Sequence, residues 1–548
     1  MTGMKRAAEP GRLAAGIGVF SLILAVLPFL RGALYVTQHE GDTLHLADLV
    51  ERMAEWGQLP HYDFMTPIGI GALWPIAIFA KAGMGLGHAF FAAQALVAAV
   101  LFLPVLRAAQ SRLPGALAWA YAAYAMGLCL ALVYGEATAA TSVSMHYNRW
   151  AWALAYIAVP LAMFEPIGPR RAALDGALIG LALAGMALVK VTYFMAFAPA
   201  ITVALLARRD FRTLGVALLA GLAVAGAMTL LLGADFWRAY LHDLATVAAS
   251  DSRAAPGESF SGILAAPRFV AGTFLLLAAV IFARQAGAMV EGLVLLFLVP
   301  AFLYVTYQNY GNDPQWLMML ALFALALRPE GGVTNGLGWR LREAFLVVGV
   351  GAAAIGAGPA INLVWSPLRH AFADAEGTVP LFSMRPKDAD VLVQAPRVYK
   401  VTMTVPGDAP GSAYAAYATL GEDKEPQKPV MLNGEALPDC ELVTGYDAWF
   451  ETAAKDLEAA GYAHSGVLIA DLFTALWLYG PFKPVEGAAP WYYSGAPGIE
   501  AADHVLVPLC PTGRTRRAEI VEAIDTAGYR LVEERRTPTY ILLKPEKK

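Results

Sequence analysis

Two acids, Glu40 and Asp42, stand where the first long apolar run of the chain gives way to a polar stretch, QHEGDTLHLADLVERMAEWGQLPHYDFMTP, residues 38 to 67. Further polar groups flank later apolar runs: Asp63 in the same stretch, His146, Tyr147, Asn148 and Arg149 before a run, Lys190 between two runs, and Asn312 and Asp313 before Trp316. A carboxylate can take a proton, and an ammonium or guanidinium can hold an anion, so this set has the parts of an acid–base and anion-binding site. Ionisable groups at the edge of a membrane are costly unless paired or hydrated, which makes them functional candidates by default. Each also has a structural alternative. Asp42 would cap a helix starting at Thr43, Lys190 and Arg149 would snorkel to headgroups, and Gly311-Asn312-Asp313-Pro314 is turn chemistry. Glu40, Asp42 and Asp313 could supply oxygens to a divalent cation, although no spacing demands one and no metal motif is present.

The elements that must position these groups are membrane elements. Of the 548 residues 58% are hydrophobic and 15% charged, and the mean hydropathy is +0.52, far above the apolar share of soluble domains, roughly half. A net charge of -4 without any Lys/Arg cluster among aromatics argues against nucleic acid as a partner. Leu13 to Leu30 reads as a retained first span, and runs of spanning length follow near 88–106, 113–134, 148–164, 172–189, 191–207, 213–233, 269–283, 290–306, 316–328 and 344–365. That makes about eleven.

The positive-inside rule fixes an orientation. With the basic N-terminal stretch MTGMKRAAEPGR in the cytoplasm, Arg107, Arg112, Arg170, Arg171, Arg208, Arg209, Arg212, Arg284, Arg328, Arg340 and Arg342 all fall on that side. This requires residues 67–83 to lie in or re-enter the outer interface without crossing. Residues 38–67 and the tail then face the periplasm or exterior.

Within 38–67, Leu46, Leu49, Val50 and Met53 recur at helical spacing against His45, Asp48, Glu51, Arg52 and Glu55, the pattern of a helix lying in a membrane interface and ending at Gly57. The tail, 366–548, reads as a separate extramembrane α/β domain following a 1–365 membrane domain. Its strands are expected at 391–395, 466–472, 504–510 and 540–545. Its helices are expected at 447–460 and 516–527, each stopped by a glycine, Gly461 and Gly528. Cys440 and Cys510 either pair or remain free thiols. WYYSGAPG, 491–498, is an aromatic loop, either on a substrate or simply at the surface.

The first loop, with its acidic pair, interfacial helix, GQLPHYDF segment and TPIG turn, resembles the first outer loop of GT-C membrane glycosyltransferases, and within them the bacterial relatives of the protein O-mannosyltransferase group, family 39. Tyr147-Asn148 opening a span, a lysine closing the run 180–190, and a Gly-Asn-x-Pro-x-Trp loop echo the same family across about residues 12–365. The resemblance implies a polyprenyl-phosphate-linked sugar donor, an acceptor that is a lipid, glycan or protein, chemistry at the outer face of a bacterial cell membrane, and a first-loop aspartate as catalytic carboxylate. By position that is Asp42, with Glu40 the rival, because the family more often has Asp-Glu adjacent where this chain has Glu-Gly-Asp. In that chemistry Asp42 takes the acceptor proton, and Lys190 and Arg149 stabilise the departing lipid phosphate, with inversion at the sugar carbon. His146, Tyr147, Asn148, Asp63, Asn312 and Asp313 complete the expected substrate-binding set. A transporter or flippase of lipid-linked sugars is the alternative, with a non-catalytic sensor of them as a third reading; no repeated halves support the transporter.

Overall fold

Apolar runs of this length satisfy their backbone groups internally by coiling into helices, and the chain does so repeatedly. A computed structural model describes residues 8–250, 259–407, 412–417 and 430–548; the basic residues at the extreme N-terminus, 1–7, lie outside it. In chain order the first part comprises α1 (Pro10–Arg31), β1 (Leu34–Val36), α2 (Glu40–Glu55), α3 (Ile70–Lys81), α4 (Leu86–Arg112), α5 (Gly115–Leu130), α6 (His146–Met163), α7 (Ala172–Val189) and α8 (Val191–Ala207). It continues with α9 (Phe211–Leu232), α10 (Asp235–Ala248), α11 (Phe260–Ala265), α12 (Pro267–Gln285), α13 (Met289–Gln308), α14 (Gln315–Ala326) and α15 (Leu341–Ala371). Each run expected to span is a helix. Among the described residues seven of them, α1, α4, α7, α9, α12, α13 and α15, are long and apolar enough to cross a membrane; α3, α5, α8 and α14 are shorter apolar helices.

Burial separates the centre from the rim. Every residue of α6 except Tyr147 is buried, whereas α9 buries only Thr213 and Ala217 and leaves Leu219, Leu230 and Leu231 at 68%, 89% and 78% exposure. An apolar face that open would cost about 25 cal/mol per Å² in water, so its natural solvent is lipid.

Polar contacts identify two ends of the bundle. At one, Arg107 and Arg112 share Asp175, Arg170 pairs with Asp210, and Arg208 joins Glu165 to Glu291. At the other lie the start of α6, the ends of α7, α13 and α15, and β1, whose Tyr35 amide donates to His370 Nε2 at 3.1 Å. Helix α3 begins and ends at this second end. The Gly69 amide before it donates to the carbonyl of Val189 at 3.2 Å, and the amides of Gly87 and His88 after it donate to the Asp390 carboxylate at 3.1 and 2.8 Å. Both flanks of α3 thus pack at this end of the bundle.

The tail departs from expectation at its start. Strand β2 (Thr378–Pro380) pairs antiparallel with β3 (Val391–Gln394), and β3 pairs in parallel with β1, Val391 opposite Leu34 and Val393 opposite Val36. The segment at 391–395 thus belongs to a small sheet stitched to the exit of α1, and α15 continues past 365 to Ala371. After α16 (Ala395–Tyr399) come two short ribbons, β4 (Thr402–Thr404) with β7 (Glu441–Thr444) and β5 (Met431–Leu432) with β6 (Glu435–Ala436). The α/β layer proper follows: α17 (Tyr446–Ala459), β8 (Val467–Ile469), β9 (His504–Pro508), α18 (Arg514–Thr526), β10 (Tyr529–Arg536) and β11 (Tyr540–Lys547), in sheet order β10-β11-β9-β8. Period-2 alternation sends Val505, Val507, Ile541 and Leu543 into one core with Ile520 and Ile524 of α18, and Leu506 and Leu542 into the other with Phe450 and Leu457 of α17. Both helices end as expected, with Gly461 and Gly528 at φ +90° and +85°. Cys440 and Cys510 form a disulfide. Strand β10, rich in charge and buried only at Tyr529 and Leu531 over much of its length, is an edge strand whose sequence carries little strand signal.

Candidate functional site

Two helix starts carry the site. Residues His39 and Met145, immediately before α2 and α6, adopt left-handed backbone with φ 64° and 55°, a conformation that costs of order 1–3 kcal/mol for a non-glycine residue and persists where surrounding contacts fix it. His39 Nδ1 lies 3.1 Å from Ser142 Oγ, and its ring meets Tyr134 edge-on at 4.6 Å. Asp42 sits in the first turn of α2, where the helix dipole favours an acid. It does not cap the helix, which starts at Glu40. Its Oδ2 accepts from the hydroxyl of Ser144 at 2.6 Å. Burial raises its pKa, with the Ser144 hydrogen bond and the nearby His39 opposing that rise. Glu40 is committed elsewhere: both its oxygens accept from Arg397 of α16.

The Ser144 carbonyl accepts from the Arg149 guanidinium at 3.0 Å, and Val133 supplies a second carbonyl to the same nitrogen. Nε and Nη2 of Arg149 are buried without hydrogen-bond partners, so the guanidinium retains donors for a further acceptor. One residue beyond α7, Lys190 donates to Oδ1 of Asn148 at 3.0 Å and of Asn309 at 2.6 Å, with Nζ 4.8 Å from the centre of the Tyr147 ring. Asn309 donates to Asp313 at 2.9 Å, and Asp313 also accepts from Tyr193 and Trp152. Asp42, Ser144, Asn148, Arg149, Lys190, Asn309 and Asp313 thus form two hydrogen-bonded chains that meet at the first turn of α6, with the Tyr147 ring against Lys190.

Other expected members do different work. The His146 ring binds the carbonyl of Ala72 at 3.0 Å and packs on Trp150, so it is a packing residue. Asp63 accepts from the Leu59 amide at 2.7 Å and closes its own turn. Asn312 contributes a backbone N–H to the Asn309 carbonyl at 2.9 Å, while Tyr310 and Gly311 take left-handed backbone, so the turn alternative holds for this loop. Among the described residues no group of three or more His, Cys, Asp or Glu side chains is arranged for a metal; Glu40, Asp42 and Asp313 each have separate partners.

The interfacial reading of α2 needs correction. His45, Asp48, Glu51 and Arg52 of its polar face are buried along with its apolar one, Glu55 alone staying exposed, because the tail covers it: Arg52 binds Asp48 at 2.5 Å and the Val485 carbonyl at 2.8 Å, and Glu51 binds Lys387 at 3.0 Å. Burial and the neighbouring Asp388 push Glu51 up to about 7, against the pull of Lys387 and Arg385. An amphipathic pattern reports two surroundings, and a protein surface with matching charges reads the same as water.

A cavity of about 390 Å³, lined by none of these groups, lies between residues 61–65, α10 and the loop 494–497. Its lining draws on two segments singled out in the sequence, His61, Tyr62 and Phe64 of the GQLPHYDF segment and Ser494 of the aromatic loop 491–498, while His242 and Asp243 of α10 were not among the expected residues. Asp243 lies on a helix whose amphipathic spacing, Phe236, Tyr240, Asp243 and Val247 inward, is the signal that could have found it. No protein-family model matches the chain, and no curated protein matches it.

Proposed function

We propose that the protein is a membrane glycosyltransferase of GT-C type that moves a sugar from a polyprenyl-phosphate-linked donor to an acceptor at the outer face of the membrane. The observation that carries this reading is the single residue Ser144, which binds the carboxylate of Asp42 through its hydroxyl and the guanidinium of Arg149 through its carbonyl. A base and an anion-holding cation are thereby fixed relative to one another by one residue. In a single displacement the acceptor hydroxyl attacks the sugar carbon, its proton goes to Asp42, and the sugar–phosphate bond breaks with its electrons leaving on the lipid phosphate. Arg149 and Lys190 stabilise that phosphate as its charge grows. Glu40, occupied by Arg397, is the weaker claimant to the base. The arginine-rich end of the bundle, by the positive-inside rule, belongs in the cytoplasm, which puts the site and tail outside.

The test uses membranes containing the full chain and labelled polyprenyl-phosphate hexoses and pentoses. Asparagine keeps the shape and hydrogen bonding of Asp42 but cannot take the proton. Asp42→Asn is expected to express and bind donor normally while transfer falls roughly 10²-fold or more. Near-native transfer in Asp42→Asn with loss in Glu40→Gln moves the role to Glu40. Activity in both variants ends the proposal in this form.

A further inference from the structure

The 390 Å³ cavity is of the size that takes small ligands, about 300–1,000 Å³. Its three walls, the turn after α2, helix α10 and the tail loop, all lie outside the long apolar helices. Asp243, 4% exposed, forms its floor, accepting from the Thr66 amide at 3.1 Å and holding His61 Nδ1 at 2.8 Å. His61 is itself in left-handed backbone, φ 73°, and its Nε2 is buried with no hydrogen-bond partner. A strained, buried, half-satisfied histidine fixed by a carboxylate is the kind of departure from packing rules that calls for a ligand. His242, Thr246 and Ser494 add hydroxyl and imidazole groups to the lining, and no Lys or Arg is among the lining residues. A carboxylate without a cation disfavours a phosphate, while the rings of Tyr62 and Phe64 beside hydroxyl groups suit a neutral polyol.

The same loop leads back to Asp42. Trp491 packs on Phe473 at 5.1 Å and on His45 at 5.4 Å, and Phe473 covers Gly41, where an added Cβ would lie 3.0 Å from its ring. Ser494 is three residues beyond Trp491, a reach of at most about 11 Å of extended chain.

We infer that this cavity binds a neutral sugar unit of the acceptor, so that the acceptor is a glycan lying along the tail loop with its reacting hydroxyl toward Asp42. The sugar site stands on the cavity alone; its role as acceptor subsite rests on the glycosyltransferase reading. Saturation-transfer NMR on the full chain in nanodiscs, with methyl mannoside, methyl glucoside and methyl galactoside as probes and glucose 1-phosphate as the anionic comparison, tests both. At least one neutral glycoside is expected to receive saturation more strongly than the phosphate. Ser494→Trp, at an exposed position, should abolish that transfer at unchanged melting temperature. His242→Ala, on the exposed side of α10, should weaken binding about 3–10-fold, as for one lost hydrogen bond, and decides the matter should the tryptophan variant melt early. Asp42→Asn should bind the glycoside as the wild type does. Absence of any neutral glycoside signal, or signals untouched by both cavity variants, overturns the site. Cavity-dependent binding together with full transfer by Asp42→Asn and Glu40→Gln keeps the sugar site and removes its acceptor role.

Discussion

The hydroxyl of Ser144 donates to Asp42 Oδ2 at 2.6 Å, across 102 residues of chain. This bond stabilises the ionised carboxylate against burial, which favours the protonated form. Ser144→Ala should therefore raise the pKa of Asp42 further and shift the acid limb of transfer activity upward. A hydrogen bond to a charged group contributes roughly 1.5–3 kcal/mol. Loss is expected on the acid side of the profile, with recovery as pH rises. A pH–rate profile superimposable on the wild type would separate Ser144 from the base.

Lys190 is held by Asn148 of α6 and by Asn309, the residue just beyond α13. If its charge acts on the leaving phosphate, Lys190→Met should lower kcat by about 10²–10³-fold, more than it raises KM. Lys190→Arg should recover little, because a planar fork does not reproduce a point charge between two amide oxygens. Steady-state kinetics with a polyprenyl-phosphate sugar checks this; an effect confined to KM would assign Lys190 to ground-state binding.

Asp447 in the tail is buried, with Tyr479 donating to one oxygen, and burial pushes its carboxyl up to about 8. The folded state therefore keeps a proton that the unfolded state releases near pH 4. Stability from this group is greatest below pH 4 and falls as pH rises to about 8, by up to about 1.4 kcal/mol per unit. Asp447→Asn should flatten the dependence and raise the melting temperature at pH 8 relative to wild type. Thermal scans from pH 5 to 8 measure it, and parallel curves for the two proteins would refute it.

Where the tail can be cut follows from the pairing of β3 with β1. A fragment starting near 366 takes β3 without its parallel partner and uncovers Val391 and Val393, both fully buried in the whole chain. A fragment from 400 omits that strand and retains both faces of the four-stranded sheet. Size-exclusion chromatography and dye binding should find the longer fragment more associated than the shorter one. Equal behaviour would mean that the β1–β3 pairing contributes little.

Much of this architecture is legible in residue order. Eleven apolar runs became eleven helices, because a stretch such as 172–189 has no better way to satisfy its backbone than a helix, whatever surrounds it. The glycine stops at Gly461 and Gly528 were readable for the same reason: each depends on neighbours in sequence. The site was readable only in part. Asp42, Arg149 and Lys190 declared themselves as charges at the ends of apolar runs, but Ser144, Asn309 and Arg397, which hold or shadow them, have nothing in their own surroundings to mark them.

What the tertiary structure decided is which partner each charge meets. Glu40 and Asp42 are two residues apart on one helix turn, and the chain sequence treats them alike. One meets Arg397, some 357 residues away, and the other Ser144, 102 residues away in the opposite wall. The polar face of α2 turned out buried because Arg385, Lys387 and Val485 come back over it from the tail. The parallel pairing of β3 with β1 and the cavity over Asp243 likewise join segments far apart in the chain. Local periodicity fixes helices through bonds made within a few residues, whereas the identity of a distant partner depends on packing of the whole, which no local pattern encodes.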